Sequence, residues 1–275
     1  MAAVENAAAA LAAPEYRNAL VSLLYQFADD ELVLGHRDSE WLGLGPHIEE
    51  DIAFASIAQD EVGHAALAFR FLEELGEGKV DDLAFLRPAA DRRNAGLLEV
   101  PNGEGTYRVE PRFDWAFALA RHLAYDLFDR VRLELLTRSS YQPLAQVAVK
   151  MQREEHYHLL HHRTWLRKLS HAGSEARERL EQGLARVWPE VDGLFTLGPT
   201  ATAIAAQGIL PATGAALRAA WAEQMATELG AVDLPWPGDP PPAPRDGRAG
   251  EHTPALGSLL DVMSEVYRTA PEARW

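Results

Sequence analysis

Two Glu-x-x-His tetrads, Glu61 to His64 and Glu155 to His158, each interrupt an otherwise apolar helical stripe, and this constrains the chain more than any other feature. The second lies in "REEHYHLLHH" (153–162), where four histidines and two glutamates fill ten positions. Positions 144, 148, 151, 155, 158, 162, 165 and 169 read Leu, Ala, Met, Glu, His, His, Trp and Leu, the three-and-four spacing of one buried helix face. Positions 54, 57, 61, 64, 68, 71 and 75 repeat the pattern as Phe, Ile, Glu, His, Ala, Phe and Leu. Two further stripes carry one intruder each. Positions 20, 24, 27, 31 and 34 read Leu, Leu, Phe, Glu and Leu, and positions 116, 119, 123 and 126 read Ala, Leu, Leu and Asp. An ionised carboxylate on a core face is costly unless something compensates its charge.

One carboxylate from each of two helices and Glu-x-x-His from each of the other two is the ligand set of a di-metal carboxylate bundle. The fold expected is therefore all-α: a ferritin-like four-helix bundle with additional C-terminal helices and an extended tail. The expected metal ligands are Glu31, Glu61, His64, Asp126, Glu155 and His158, with Glu61 and Glu155 bridging two ions and one histidine capping each. The i, i+3 spacing puts each Glu and His on one helix face. Carboxylate and imidazole donors suit iron, with manganese as the alternative. The chain has no cysteine, so thiolate, zinc–thiolate and iron–sulfur chemistry are excluded. His156 and His161 point off the stripe and read as solvated, His162 reads as a core or supporting donor, and His36, His47, His122 and His171 read as ordinary. Glu134, two turns past Asp126, is rotated off the same stripe.

Helical periodicity predicts segments from Pro14 to the glycines at 43 and 45, over 47–75, 113–139 and 143–169, then near 174–190 and 213–230. Residues 1–13 form an N-terminal extension, and 14–232 form the bundle. Residues 77–112 form an irregular crossover in which "TYRVE" reads as a short strand. Residues 233–275 form a Pro-rich linker and a C-terminal helix packing on the bundle. The formal charge of −15 disfavours nucleic acid and anionic membrane as partners. With no basic leader and no apolar run long enough to span a bilayer, a cytoplasmic protein is expected.

The stretches "FADDELVLGHRDSEWLGLGP", "EEDIAFASIAQDEVGHA", "LLEVPNGEG", "EEHYHLLHHRTWLRKL" and "EHTPALGSLLDVMSEVYRTAPEARW" resemble the ferritin-like subunits of the bacterial phenylacetyl-CoA 1,2-epoxidases, and the flanks resemble the C subunit (PaaC) nearly end to end. The resemblance implies a multicomponent di-iron monooxygenase of aerobic phenylacetate breakdown that epoxidises the ring of phenylacetyl-CoA. It implies a sister catalytic A subunit as partner, and a separate flavin and iron–sulfur reductase as electron donor. In that family the A subunit holds the iron, whereas familiar C subunits have lost the ligands and act as scaffold. This chain departs from that pattern by carrying residues like the A subunit's ligands at 31, 61, 64, 126, 155 and 158. Three functions stay open: a subunit with its own di-iron centre, a non-catalytic structural subunit, and a ferritin-type iron oxidation or storage protein.

A chain with no Gly-rich dinucleotide loop after a strand and no cysteine relay needs partners for electron delivery. Outward apolar residues are expected to form an interface with a sister bundle, a homodimer being the alternative when the partner is missing. An acyl-CoA substrate carries phosphate charge, which calls for local cations. Arg87, Arg92 and Arg93 in the crossover and Arg163, Arg167 and Lys168 on the fourth helix are the candidate clusters, and Arg92 and Arg93 are the expected phosphate contacts.

Overall fold

The computed structural model describes residues 3–273, so residues 1 and 2 of the N-terminal extension and 274 and 275 of the C-terminal segment lie outside the described residues. Eleven α-helices, three 3-10 helices and one two-stranded hairpin are the regular elements among the described residues. The bundle comprises α2 (Pro14–Ser39), α3 (Ile48–Glu74), α6 (Trp115–Leu136) and α7 (Gln142–His171), preceded by the short α1 (Ala7–Leu11). The chain is all-α, as the stripes require. Pro14 begins α2, where its missing N–H costs nothing, and the Asp114 carboxylate caps α6 by accepting from Phe117 N–H at 3.2 Å.

The four stripes are buried around their polar members. Leu20, Leu24 and Leu34 flank Glu31, Phe54 and Ala68 flank Glu61 and His64, Leu123 precedes Asp126, and Ala148 and Met151 precede Glu155, all at 2 % exposure or less for the apolar members. Helix α6 is buried on almost every side, because α8 (Ser174–Val187) and α10 (Gly214–Gly230) cover the surface that α2 and α7 leave open. Trp221 of α10 is fully buried there and donates its indole N–H to the Ala124 carbonyl at 2.9 Å. Where α8 crosses α6, a Cβ on Gly183 would lie 2.7 Å from the Ala116 carbonyl oxygen. Gly183→Ala is therefore expected to cost about 1–3 kcal/mol, read as a lower urea midpoint at unchanged slope.

The crossover holds more structure than its Pro and Gly content suggests. It contains α4 (Val80–Phe85), a 3-10 turn at Ala89–Asp91, α5 (Gly96–Glu99) and the hairpin β1 (Gly103–Thr106) and β2 (Val109–Phe113). The segment "TYRVE" is not a single strand. It ends β1, turns at Tyr107 and Arg108, and begins β2, with Gly105 at φ +77 supplying the left-handed residue beside the bulge. Beyond the bundle lie α9 (Ala201–Ala206), the Pro-rich stretch, and α11 (Pro254–Thr269), which packs on α4 and α5. No helix among the described residues is long and apolar enough to cross a membrane.

Candidate metal centre

Glu31, Glu61, His64 and Glu155 converge from α2, α3 and α7, each offering a ligand atom within 4.8 Å of the others, and all four are buried. His64 Nδ1 lies 3.4 Å from Glu31 Oε2, 3.9 Å from Glu61 Oε2 and 3.8 Å from Glu155 Oε1. His158 completes the group, its Nδ1 standing 3.1 Å from Glu155 Oε1 and 3.6 Å from Glu61 Oε1. Close approach of α2 and α3 depends on Gly35, where a Cβ would come within 3.0 Å of Glu61 Cβ.

Each histidine is aimed from behind. His64 Nε2 is 3.0 Å from Glu154 Oε2, and His158 Nε2 is 3.2 Å from Asp60 Oδ2. The acid that precedes each stripe glutamate thus reaches across to the histidine of the opposite helix. Holding Nε2–H on a carboxylate directs the Nδ1 lone pair into the centre, the usual outer-shell arrangement of metal-bound imidazole.

The unpaired atoms fit a cation. Both carboxylate oxygens of Glu61, both of Glu155 and Nδ1 of His158 are buried without a hydrogen-bond partner. Five such atoms facing one another would be costly with nothing positive between them. Without a metal, protons must serve. Burial, reinforced by Glu31 and Glu155, pushes the Glu61 carboxyl well above the usual range. Burial lowers His64, but the Glu31 and Glu155 carboxylates outweigh it and bring the imidazole up to about 9. Burial also raises Glu155, and the Glu155 and Asp60 carboxylates raise His158 against its own burial. The donor set of carboxylates and imidazoles suits divalent iron or manganese.

Glu31 has a second set of partners that the stripes did not reveal. Its Oε1 accepts from Tyr125 Oη at 2.7 Å and from Arg132 Nη2 at 2.6 Å. Arg132 also donates to Asp129 through Nε at 2.6 Å and to Asp30 through Nη1 at 3.0 Å. Arg248, arriving from the Pro-rich stretch, grips the same Asp30 with both Nη atoms at 2.7 and 2.9 Å. Burial works against ionising Glu31, yet its neighbours Glu61 and His64 and the Arg132 charge hold it down to about 2.

Asp126 stands apart from this group. Its Oδ2 is 2.6 Å from His162 Nδ1 and its Oδ1 is 3.3 Å from His122 Nδ1, so the α6 carboxylate is engaged by two histidines instead of facing Glu61. His122, read as ordinary, is fully buried between Asp126 and Asp38, whose Oδ1 is 2.7 Å from its Nε2. His156 is exposed, and His161 is only partly so, resting 3.2 Å from Glu50. Glu134 is exposed, as its rotation off the stripe implies.

The expectation that Arg92 contacts phosphate is corrected. Arg92 is fully buried, and its Nη1 donates to Asp29 Oδ1 at 3.1 Å while Nη2 donates to the Ala84 carbonyl at 2.6 Å. Arg87 pairs with the same carboxylate, and the Arg93 backbone N–H donates to it at 2.8 Å. The Arg93 guanidinium is spent on the Ala90 and Arg92 carbonyls. A buried aspartate two residues before Glu31 demands cations, and the crossover arginines supply them, tying the crossover to α2. Arg163 is likewise bound, to Glu228 of α10. A cleft of about 390 Å³ between α6 and α7 does reach the centre: Arg130, Gln152 and His156 line it, and Glu155 forms part of its wall.

The family model described as phenylacetic acid catabolic protein matches residues 1–275. In Escherichia coli (strain K12), the C subunit of the 1,2-phenylacetyl-CoA epoxidase is 31 % identical over 262 residues, which cover 94 % of this chain and 100 % of that protein. With its whole length matched and the buried Glu-x-x-His pairs at the centre of the bundle, the chain belongs to the phenylacetic acid catabolic protein family.

Proposed function

We propose that the chain is a subunit of a multicomponent oxygenase acting on phenylacetyl-CoA, and that it carries a di-iron centre of its own. The observation that carries the metal is the set of buried, unpartnered oxygens on Glu61 and Glu155, opposite two histidines whose outer nitrogens are already held. Glu61, Glu155, His64 and His158, with Glu31 through Oε2, are the residues that would hold the ions. Arg132 and Tyr125 occupy Glu31 Oε1 and so fix which oxygen faces inward. Asp60 and Glu154 hold the imidazole Nε2 protons and add negative charge outside the ligands. When bound, the iron pair supplies dioxygen activation. The buried Phe27 and Ala65 lie close along α2 and α3 to Glu31 and His64, and the Glu155 cleft, which Leu159 also lines, is the open approach.

The partner is proposed to be a sister ferritin-like subunit, with electrons supplied by a separate flavin and iron–sulfur reductase. Helix α3 exposes Ile48, Ile52 and Val62, and α7 exposes Val149, Tyr157 and Leu160. Large apolar residues left exposed on two bundle helices suit a protein interface.

Reconstitution with the sister subunit, the reductase and phenylacetyl-CoA tests the reading. Turnover should require this chain and fall more than about tenfold when it carries Glu61→Gln, with the complex still assembled on a sizing column. Equal turnover with wild type and Glu61→Gln would assign the chain to the scaffold class.

A further inference from the structure

Outside the carboxylate-rich centre, His122 and Asp126 of α6 and His162 of α7 form a second convergence of metal-ligating groups. All three are buried to 1 % exposure or less, and their ligand atoms lie within 4.8 Å of one another. We propose that they form a separate site for a single divalent transition-metal ion of borderline softness, such as zinc, cobalt or ferrous iron. The proposal goes beyond the function above and does not depend on occupancy of the first centre.

Three features support it. His122 meets a carboxylate at both nitrogens: Nε2 is 2.7 Å from Asp38 Oδ1, and Nδ1 is 3.3 Å from Asp126 Oδ1. The Nε2 contact is the shorter, so the Asp38 carboxylate holds Nε2–H and directs Nδ1 at Asp126. A cation can take the place between that nitrogen and the Asp126 oxygen, and an Asp behind the imidazole is what a metal-bound histidine ordinarily has. The imidazole planes of His122 and His162 stack at 4.2 Å with 13° between them, and both direct Nδ1 at the same Asp126 carboxylate. Two imidazoliums stacked face to face repel, so at most one of the rings is charged, whereas two neutral rings can share one ion. Finally, His162 Nε2 is buried with no hydrogen-bond partner, a nitrogen that the protein itself leaves unsatisfied.

Two histidines and one carboxylate leave coordination positions open, and without cysteine the set favours ions that accept nitrogen and oxygen. Phe54 presents its edge to both rings, at centroid distances of 5.4 and 5.9 Å, and gives the site an apolar wall. His161, a fifth exposed at its side chain and edge-on to His162 at 5.0 Å, stands between the site and solvent and provides the way in.

Crystals of the wild-type protein soaked in cobalt chloride, with data collected at the cobalt absorption edge, test the assignment. An anomalous peak bounded by His122, Asp126 and His162 is expected, besides any at Glu61 and Glu155. In solution, His162→Gln should lose one equivalent of bound cobalt and its visible absorption while Glu61→Gln keeps that signal. If density and binding vanish only with Glu61→Gln, or if His162→Gln binds as much cobalt as wild type, the second site is overturned and the carboxylate centre still stands. Absence of cobalt from both places overturns both. The wild-type crystal decides the matter even if His162→Gln does not fold.

Discussion

Glu61→Gln is expected to make the metal-free protein more stable and to remove most of the stabilisation that metal confers. The two effects have opposite sign for one reason. Glu61 is fully buried, neither of its oxygens has a hydrogen-bond partner, and Glu31 and Glu155 face it. In the metal-free chain this is carboxylate crowding in a low-dielectric core, and a neutral amide of the same shape relieves about 1–2 kcal/mol of it. With metal present the same carboxylate is a ligand. Free metal at a thousandfold over its dissociation constant stabilises the native state by about 4 kcal/mol, and most of this is lost when a bridging ligand becomes an amide. Thermal melts with and without ferrous iron or manganese, under anaerobic conditions, read both signs. A metal-free melting temperature lowered by the substitution would place Glu61 in an ordinary structural ion pair.

Arg132→Leu is expected to be the most damaging single change in the bundle, costing about 3–5 kcal/mol. The guanidinium touches Asp30, Glu31 and Asp129 and lies over the Phe27 ring at 4.4 Å, so its removal leaves buried carboxylates facing each other across an apolar gap. Such a loss is a large share of the roughly 5–15 kcal/mol that holds a typical domain together. Arg132→Lys should recover only part of it, because one ammonium cannot fork to three acids. As a control, Arg179→Ala breaks an exposed pair with Glu175 and should change the urea midpoint by less than about 1 kcal/mol in equivalent stability. Near-equal effects of the two substitutions would mean that the Arg132 network contributes nothing special.

The long helices are readable because each carries an apolar stripe, and its three-and-four period survives even where a glutamate interrupts it. Glu31, Glu61, His64, Glu155 and His158 stand out for the same reason: a charged residue on a core face is an anomaly that one chain alone displays. Asp126 stands out equally, and His122 one turn before it on α6 is a visible neighbour, but its shorter contact is to His162 of another helix, which no pattern along α6 carries. Arg132 and Asp129 escape because α6 is buried on nearly all sides, so residues off the predicted stripe are inside as well. The outer acids Asp60 and Glu154 leave a signal, the acid immediately before each Glu-x-x-His. Their role is tertiary, since each reaches the histidine of the opposite helix. Arg92 is misplaced by its sequence context because an irregular segment has no period from which burial can be inferred, and nothing along α2 marks Asp29 as the buried charge that captures it.

A pair of metal ions is proposed among Glu31, Glu61, His64, Glu155 and His158. Mössbauer and electron paramagnetic resonance spectra of the purified chain, loaded anaerobically with ferrous iron and then oxidised, test it most directly. A coupled ferric pair should appear as a spectrum silent in electron paramagnetic resonance, present in wild type and in His162→Gln and absent in Glu155→Gln. Iron that binds only as isolated high-spin ferric ions, or that binds equally well to Glu155→Gln, would contradict the claim.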